Sequence, residues 1–145
     1  MYGTLSYYAI TIDNTILPSL SNIYSDQSKA TTNTAKRVAK LLNYLASNPQ
    51  AEIQYTASGM QLAIHSNASY LSVTQSRSRV SGVHFLSKVP PDPDNPEYFV
   101  PITNGILLFM CKIMRNIMAS AAEAKYGTIF VNAQTAVPIH ITLPN

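Results

Sequence analysis

The chain has 145 residues, of which 46% are hydrophobic and 12% are charged, and its net charge is +3. The hydrophobic share excludes a disordered chain and is sufficient for one ordinary core. The weak positive charge is compatible with contact with nucleic acid but does not indicate it. The charged share lies well below the usual value of about 25%, which indicates that part of the surface is covered by a partner or by further chain.

The first third of the chain predicts two helices. Asp13-Asn14-Thr15 supplies capping side chains for the first, and Pro18 falls in its first turn, where the missing N–H does little harm. The second helix has leucines and a valine at helical spacing and stops at Asn48-Pro49. The apolar positions of the two helices are Leu17, Leu20, Ile23 and Tyr24 in the first, and Val38, Leu41, Leu42 and Leu45 in the second.

The middle of the chain predicts strands. Apolar and polar residues alternate at 53–56 and again at 60–65, with Ser58-Gly59 between them, which is typical of a hairpin. A third strand is expected from about Arg79 to Leu86, and the proline-rich segment 88–101 is expected to be a loop. The apolar run 105–111 then predicts a short buried strand.

The C-terminal part predicts a helix and the start of another strand. The helix would bury one apolar face, formed by Ala122, Tyr126, Ile129, Phe130, Ala133 and Val137. The tail 139–143 alternates as a strand does. The expected fold is therefore an α/β or α+β chain with an unfinished sheet.

Cellular context is indicated by two features. Cys111 is the only cysteine, so the chain cannot form an intramolecular disulfide, which fits a reducing compartment. The first residues have neither the basic start nor the apolar core of a secretory signal, and the run 105–111 is too short to cross a membrane. We expect an intracellular protein, cytoplasmic or nuclear, without a membrane partner.

Few residues carry an evident chemistry. His65, His84 and His140 are far apart in sequence, and we expect edge or surface histidines rather than zinc ligands. Ser120 and Glu123 have the spacing of a helix capping box, which accounts for Glu123 without catalysis. Arg77 and Arg79 flank a serine before the third strand, where they would either contact phosphates or lie in a solvated turn.

Several segments in order resemble the polyprotein of LTR retrotransposons of the copia/gypsy type. Gly3 to Ala9, Asp13 to Leu17 and the helix Ala35 to Ala46 look like the connection helices at the end of a reverse transcriptase. Met60 to Leu71 and Arg77 to Leu86 resemble the first two strands of its ribonuclease H domain, and Ser120 to Ala124 resembles the motif S-x-x-E-A-E that begins the first helix.

The resemblance implies a fold, two domains and a reaction. Residues 1–50 would be connection helices, and residues 51–145 would form an incomplete ribonuclease H-like mixed sheet with flanking helices. The family's activity is magnesium-dependent cleavage of the RNA strand of an RNA–DNA hybrid. Two magnesium ions are held and bridged by carboxylates in such a mechanism, because magnesium prefers anionic oxygen ligands.

The sequence departs from the family's catalytic pattern. Asn67 stands where the first catalytic aspartate is expected, and an amide is a neutral substitute for a bridging carboxylate. The second catalytic acid matches Glu123, which would be a weak metal ligand alone. After Asp94 the chain has only Glu97 and Glu123 as acids, so the later catalytic acids are not matched. We expect a truncated domain that binds no magnesium and catalyses no hydrolysis.

Three functions remain open at this stage. The first is an inactive ribonuclease H-like remnant with weak affinity for RNA–DNA hybrid. The second is a nuclease fragment that needs its missing half or a partner chain. The third is a host interaction or oligomerisation module derived from a retroelement. An incomplete sheet would leave an apolar edge open, which predicts a homodimer through that edge.

Overall fold

The computed structural model describes residues 2–73, 75–87, 101 and 103–143. These residues form two compact units, Met1–Ile53 and Gln54–Asn145. The first unit is helical, and the second combines a sheet with one long helix. Within the described ranges, no helix is both long enough and apolar enough to span a bilayer.

The N-terminal unit contains three α-helices, α1 (Tyr2–Thr11), α2 (Leu17–Ser25) and α3 (Thr32–Ser47). A 3-10 turn, Asn14–Ile16, leads into α2, and the carboxylate of Asp13 accepts the N–H of Thr15 at 3.0 Å. Pro18 lies in the first turn of α2, as predicted. A second 3-10 turn, Gln27–Lys29, leads towards α3. The apolar core of this unit consists of Ala9, Ile16, Leu20 and Leu41.

Helix α3 ends where its sequence predicts, but it begins at Thr32, ahead of the expected segment Ala35 to Ala46. Thr31 caps its first turn through a reciprocal pair with Thr34, and Asn48 ends it. Leu41 is buried and Leu45 packs against the core, but Leu42 is exposed. The buried stripe is therefore narrower than predicted.

The sheet has three antiparallel strands, β1 (Gln61–Val73), β2 (Arg77–Ser87) and β3 (Ile106–Ile113), in the order β1-β2-β3. An α/β fold with an open sheet is thus confirmed. The strand directions differ from the mixed sheet that was expected, since every pairing between described strands is antiparallel.

The first hairpin is not where the sequence placed it. Residues 53–56 form no strand, and the hairpin partner of β1 is β2, across a turn in which Gln75 and Ser76 have φ values of 64° and 52°. The sequence predicts the turn at Ser58-Gly59, and glycine is the residue that adopts such angles most readily. Here non-glycine residues adopt them, which the sequence does not reveal.

Side chains, rather than a strand ladder, hold the segment before β1. Asn104 accepts the N–H of Thr56 at 2.8 Å and donates to its carbonyl at 2.9 Å. The hydroxyl of Tyr55 donates to the carbonyl of Ile106 at 3.0 Å. Alternation at 53–56 therefore reflects contacts with the start of β3 and not strand pairing.

Strand β3 is less buried than its apolar sequence predicts. Met110 is buried, but Leu107 is exposed and most of the other residues are half-buried. The predicted loop 88–101 lies outside the described residues except for Pro101.

The final helix, α4 (Ala121–Thr142), buries the face opposite to the one that the sequence predicts to be buried. Its buried residues are Ala124, Thr128 and Asn132, whereas Tyr126 and Phe130 are 74% and 62% exposed. The strand predicted at 139–143 is also wrong, because α4 continues through Pro138 to Thr142. The helix lies against β1 and β2.

Candidate functional site

Asn67 lies in the middle of β1, directly opposite Ser81 of β2. The hydroxyl of Ser81 donates to the carbonyl of Asn67 at 3.1 Å, which fixes the backbone at this point. Since side chains alternate along a strand, Ser66 and Ala68 share one face and Asn67 belongs to the other. Among the described strands β1 pairs only with β2, so Asn67 also borders an open sheet edge.

Helix α4 is anchored on the sheet by Asn132. The two N–H groups of its amide are shared among three acceptors, the Ser66 hydroxyl at 3.1 Å, the Ser81 carbonyl at 3.2 Å and the Thr128 carbonyl at 3.0 Å. Its amide oxygen lies 3.2 Å from Nε2 of His84. A buried polar side chain with all of its groups partnered holds a helix in one position.

His84 is the buried titratable group of this network. It is 0% exposed, so the expectation of an edge or surface histidine is wrong. The amide oxygen of Asn132 can only accept, and Nε2 therefore carries the proton. No described group partners Nδ1. Burial lowers the pKa of His84 below its ordinary value of 6.5, and the hydrogen bond that His84 donates to Asn132 opposes this only in part.

Gly82 allows Asn132 of α4 to approach strand β2 closely. It lies opposite Ser66 on β1 and Met110 on β3, on the face that α4 covers. A Cβ atom at this position would overlap the amide of Asn132. The absence of a side chain is therefore what lets the Asn132 amide reach the β2 backbone.

A pocket of about 250 Å³ lies between β1 and α4, and we call it the β1 pocket. It is lined by Ser66, Asn67, Ala68, Lys125, Thr128 and Ile129. The Ser66 hydroxyl accepts a hydrogen bond from Asn132, which leaves its proton available to a ligand. The Thr128 hydroxyl already donates to the Ala124 carbonyl at 2.8 Å.

Lys125 gives the β1 pocket its charge. It is exposed at the rim, and none of the lining residues is acidic. The ion pair recorded within the described part of the chain joins Arg37 to Asp26, in the other unit. The ammonium of Lys125 is thus available to an anionic group that enters the pocket.

Glu123 contributes to the cap at the N-terminal end of α4. Its N–H donates to the Ser120 hydroxyl at 3.1 Å, and its carboxylate accepts the N–H of Ala119. The serine caps the helix as the sequence predicts, but the carboxylate accepts from Ala119 rather than from the N–H of Ser120, and this structural contact occupies it. Glu123 is not among the residues that line the β1 pocket.

These residues do not fit a pair of magnesium ions. The residues that line the β1 pocket include no carboxylate and add the positive ammonium of Lys125, whereas magnesium prefers anionic oxygen ligands. In the described ranges, no group of three or more His, Cys, Asp or Glu residues is placed to hold a metal ion.

Arg77 and Arg79 lie on the sheet face that α4 leaves uncovered. Both alternate with Ser78 and Val80, which are buried on the other face. Arg77 donates to the side chain of Gln75 at 2.8 Å, and Arg79 lies 3.7 Å from the sulfur of Cys111. Asn67 belongs to the same face by alternation, and neither arginine lines the β1 pocket.

Three residues of the site were missed by sequence reasoning, namely His84, Lys125 and Asn132. For Lys125 a signal existed, because the motif S-x-x-E-A-E has its second glutamate where this chain has lysine. For His84 and Asn132 none existed, since their contact joins positions far apart in sequence.

Comparisons of this chain with protein-family models, with curated proteins and with solved structures found no match.

Proposed function

We propose that this chain is a ribonuclease H-like protein of retroelement origin that has lost catalysis and retains weak contact with the backbone of RNA–DNA hybrid. The observation that carries the proposal is the ammonium of Lys125 in the β1 pocket beside Asn67. Asn67 stands where the resemblance implies a catalytic aspartate, and the nearby lysine attracts phosphate rather than a metal ion.

The order of elements supports the same proposal. Three antiparallel strands are followed by a helix that lies on β1 and β2, and the resemblance implies this order for the first half of a ribonuclease H domain. The ordered segments in sequence add to this support. Asn67 on β1 and the start of α4 then fall on the same part of the sheet.

A salt titration of hybrid binding tests the proposal. We expect binding to weaken steeply as salt rises, and Lys125→Gln to reduce the slope of log K against log salt by about 1. Lys112→Gln is the matched control, because Lys112 is exposed on β3 and does not line the β1 pocket. An equal effect of the two substitutions, or no binding at low salt, would contradict the proposal.

A second candidate function, oligomerisation or binding of a host protein, is favoured by the exposed side of α4. Tyr126, Phe130 and Val137 all project from the side opposite its buried face, and β1 offers an unpaired edge among the described strands. Light scattering across a concentration series distinguishes this candidate. It predicts a homodimer that Phe130→Ser weakens, whereas a monomer at all concentrations would count against self-association.

A further inference from the structure

A second pocket lies wholly within the N-terminal unit, and we call it the α3 pocket. It has a volume of about 360 Å³ and is open to solvent between α3 and the segment that leads into α2. It is lined by Thr15, Ile16, Ser19, Arg37, Lys40, Leu41 and Tyr44. This volume falls within the range of about 300–1,000 Å³ that small-molecule sites occupy.

The floor of the α3 pocket is apolar and fixed. Ile16 and Leu41 are both buried members of the core of this unit. At the rim, the hydroxyl of Tyr44 lies 3.1 Å from that of Thr15. Thr15 is itself held by the carboxylate of Asp13, so Tyr44 is tethered across the pocket with its ring at the wall.

The remaining wall is positively charged. Arg37 and Lys40 are one turn apart on α3, and none of the lining residues is acidic. Arg37 uses one terminal nitrogen for Asp26 at 3.0 Å, which leaves other N–H groups of its guanidinium for a ligand. Lys40 is exposed, and no described carboxylate pairs with it.

We propose that the α3 pocket binds a nucleotide unit, with the phosphate on Lys40 and Arg37 and the base against Tyr44 and the apolar floor. Arginine and lysine side by side suit a phosphate, and an aromatic ring beside an apolar surface suits a planar base. The same chemistry is presented by a free mononucleotide and by a single-stranded nucleic acid. The proposal does not depend on the β1 pocket or on hybrid binding.

Isothermal titration with adenosine 5′-monophosphate, oligo(dA) and inorganic phosphate tests the proposal in the full chain. We expect the mononucleotide to bind more tightly than phosphate alone, because the base adds contacts that phosphate lacks. Saturation by the mononucleotide alone identifies a free nucleotide as the ligand, and tighter binding of oligo(dA) identifies a single strand.

Three variants sharpen the test. Lys40→Gln should weaken mononucleotide binding about fivefold, as for loss of one exposed charged contact. Lys36→Gln makes the same charge change on the same helix outside the pocket and should have no effect. Asp26→Asn should strengthen binding, because it releases Arg37 from its partner.

The proposal is overturned if the mononucleotide does not bind, if phosphate alone binds as well, or if Lys36→Gln and Lys40→Gln act equally. Failure of the mononucleotide to bind leaves the hybrid-binding proposal intact, because that proposal is tested by the salt dependence of the Lys125→Gln variant, whose substitution lies in the other unit.

Discussion

At the scale of the residue, His84 links the stability of the fold to pH. Its folded pKa lies below 6.5 because burial disfavours the imidazolium, and a proton on Nδ1 would have no acceptor among the described groups. The unfolded chain therefore binds more protons than the folded chain below about pH 6.5. The stabilisation is complete above the unfolded pKa and is lost as the pH falls towards the folded pKa.

Chemical denaturation between pH 8 and pH 5 measures this effect. The free energy of unfolding should fall as the pH drops below about 6.5, and His84→Gln should remove most of that dependence while lowering stability at all pH values. His65→Gln is the control, since His65 stacks on Phe85 at a centroid distance of 5.1 Å without this burial. An unchanged pH profile in His84→Gln would show that another group is responsible.

A substitution at Gly82 is expected to destabilise the contact between α4 and the sheet. Gly82→Ala would drive a methyl group into the Asn132 amide, so we expect a loss of about 1–3 kcal/mol, the cost of leaving buried polar groups unpaired. Gly3→Ala is the comparison, because no atom lies within 4 Å of a Cβ placed there. Thermal denaturation of the two variants should separate them, and equal melting temperatures would mean that Asn132 does not hold α4 on the sheet.

At the scale of the element, α4 shows where sequence periodicity fails. The pattern selected its large apolar residues as the buried face, but the sheet meets Ala124, Thr128 and Asn132 instead. Small side chains are needed there because β2 presents Gly82 to the helix at close range. Hydrophobic periodicity ranks side chains by size and polarity, and it cannot detect a polar anchor that depends on a distant strand.

Substitutions on the two faces of α4 test this reversal. Phe130→Ser should change stability by no more than about 0.5 kcal/mol, as expected for an exposed position. Ala124→Leu should destabilise by about 1–3 kcal/mol, because Ala124 is fully buried and has no room for a larger side chain. A larger loss of stability in Phe130→Ser than in Ala124→Leu, measured by urea denaturation, would show that α4 buries the apolar face that the sequence predicts.

The contribution of Glu123 to the start of α4 can be measured as a change in stability. Glu123→Gln should leave stability almost unchanged, because glutamine also serves in a capping box. Ser120→Ala should cost about 1 kcal/mol, because it removes the acceptor of the Glu123 N–H. A large loss of stability in Glu123→Gln alone would show that the charge, and not the cap, stabilises the helix.

Other elements could be predicted with fewer errors. The end of helix α3 follows from a local signal, the terminal Asn-Pro, and strand β2 follows from alternation. The hairpin was misplaced because its turn contains Gln75 and Ser76 at positive φ, without glycine. Of the site, Asn67 and Glu123 follow from the resemblance, but the position of Lys125 in the β1 pocket emerges only when α4 lies on β1.

At the scale of the whole molecule, positive charge occurs in both units. The β1 pocket contains Lys125, and the α3 pocket contains Arg37 and Lys40. Neither pocket has an acidic lining residue. The lining of each pocket therefore favours an anionic ligand.

Cleavage of a labelled RNA–DNA hybrid, in magnesium and in manganese, tests the central claim most directly. The proteins compared are the natural chain, Asn67→Asp, and Glu123→Gln. The account predicts no cleavage by any of them, because Lys125 keeps a positive charge in the β1 pocket and, where Glu123 is retained, its carboxylate is engaged at the start of α4. Cleavage by the natural chain that Glu123→Gln abolishes would contradict the account and identify Glu123 as a catalytic residue.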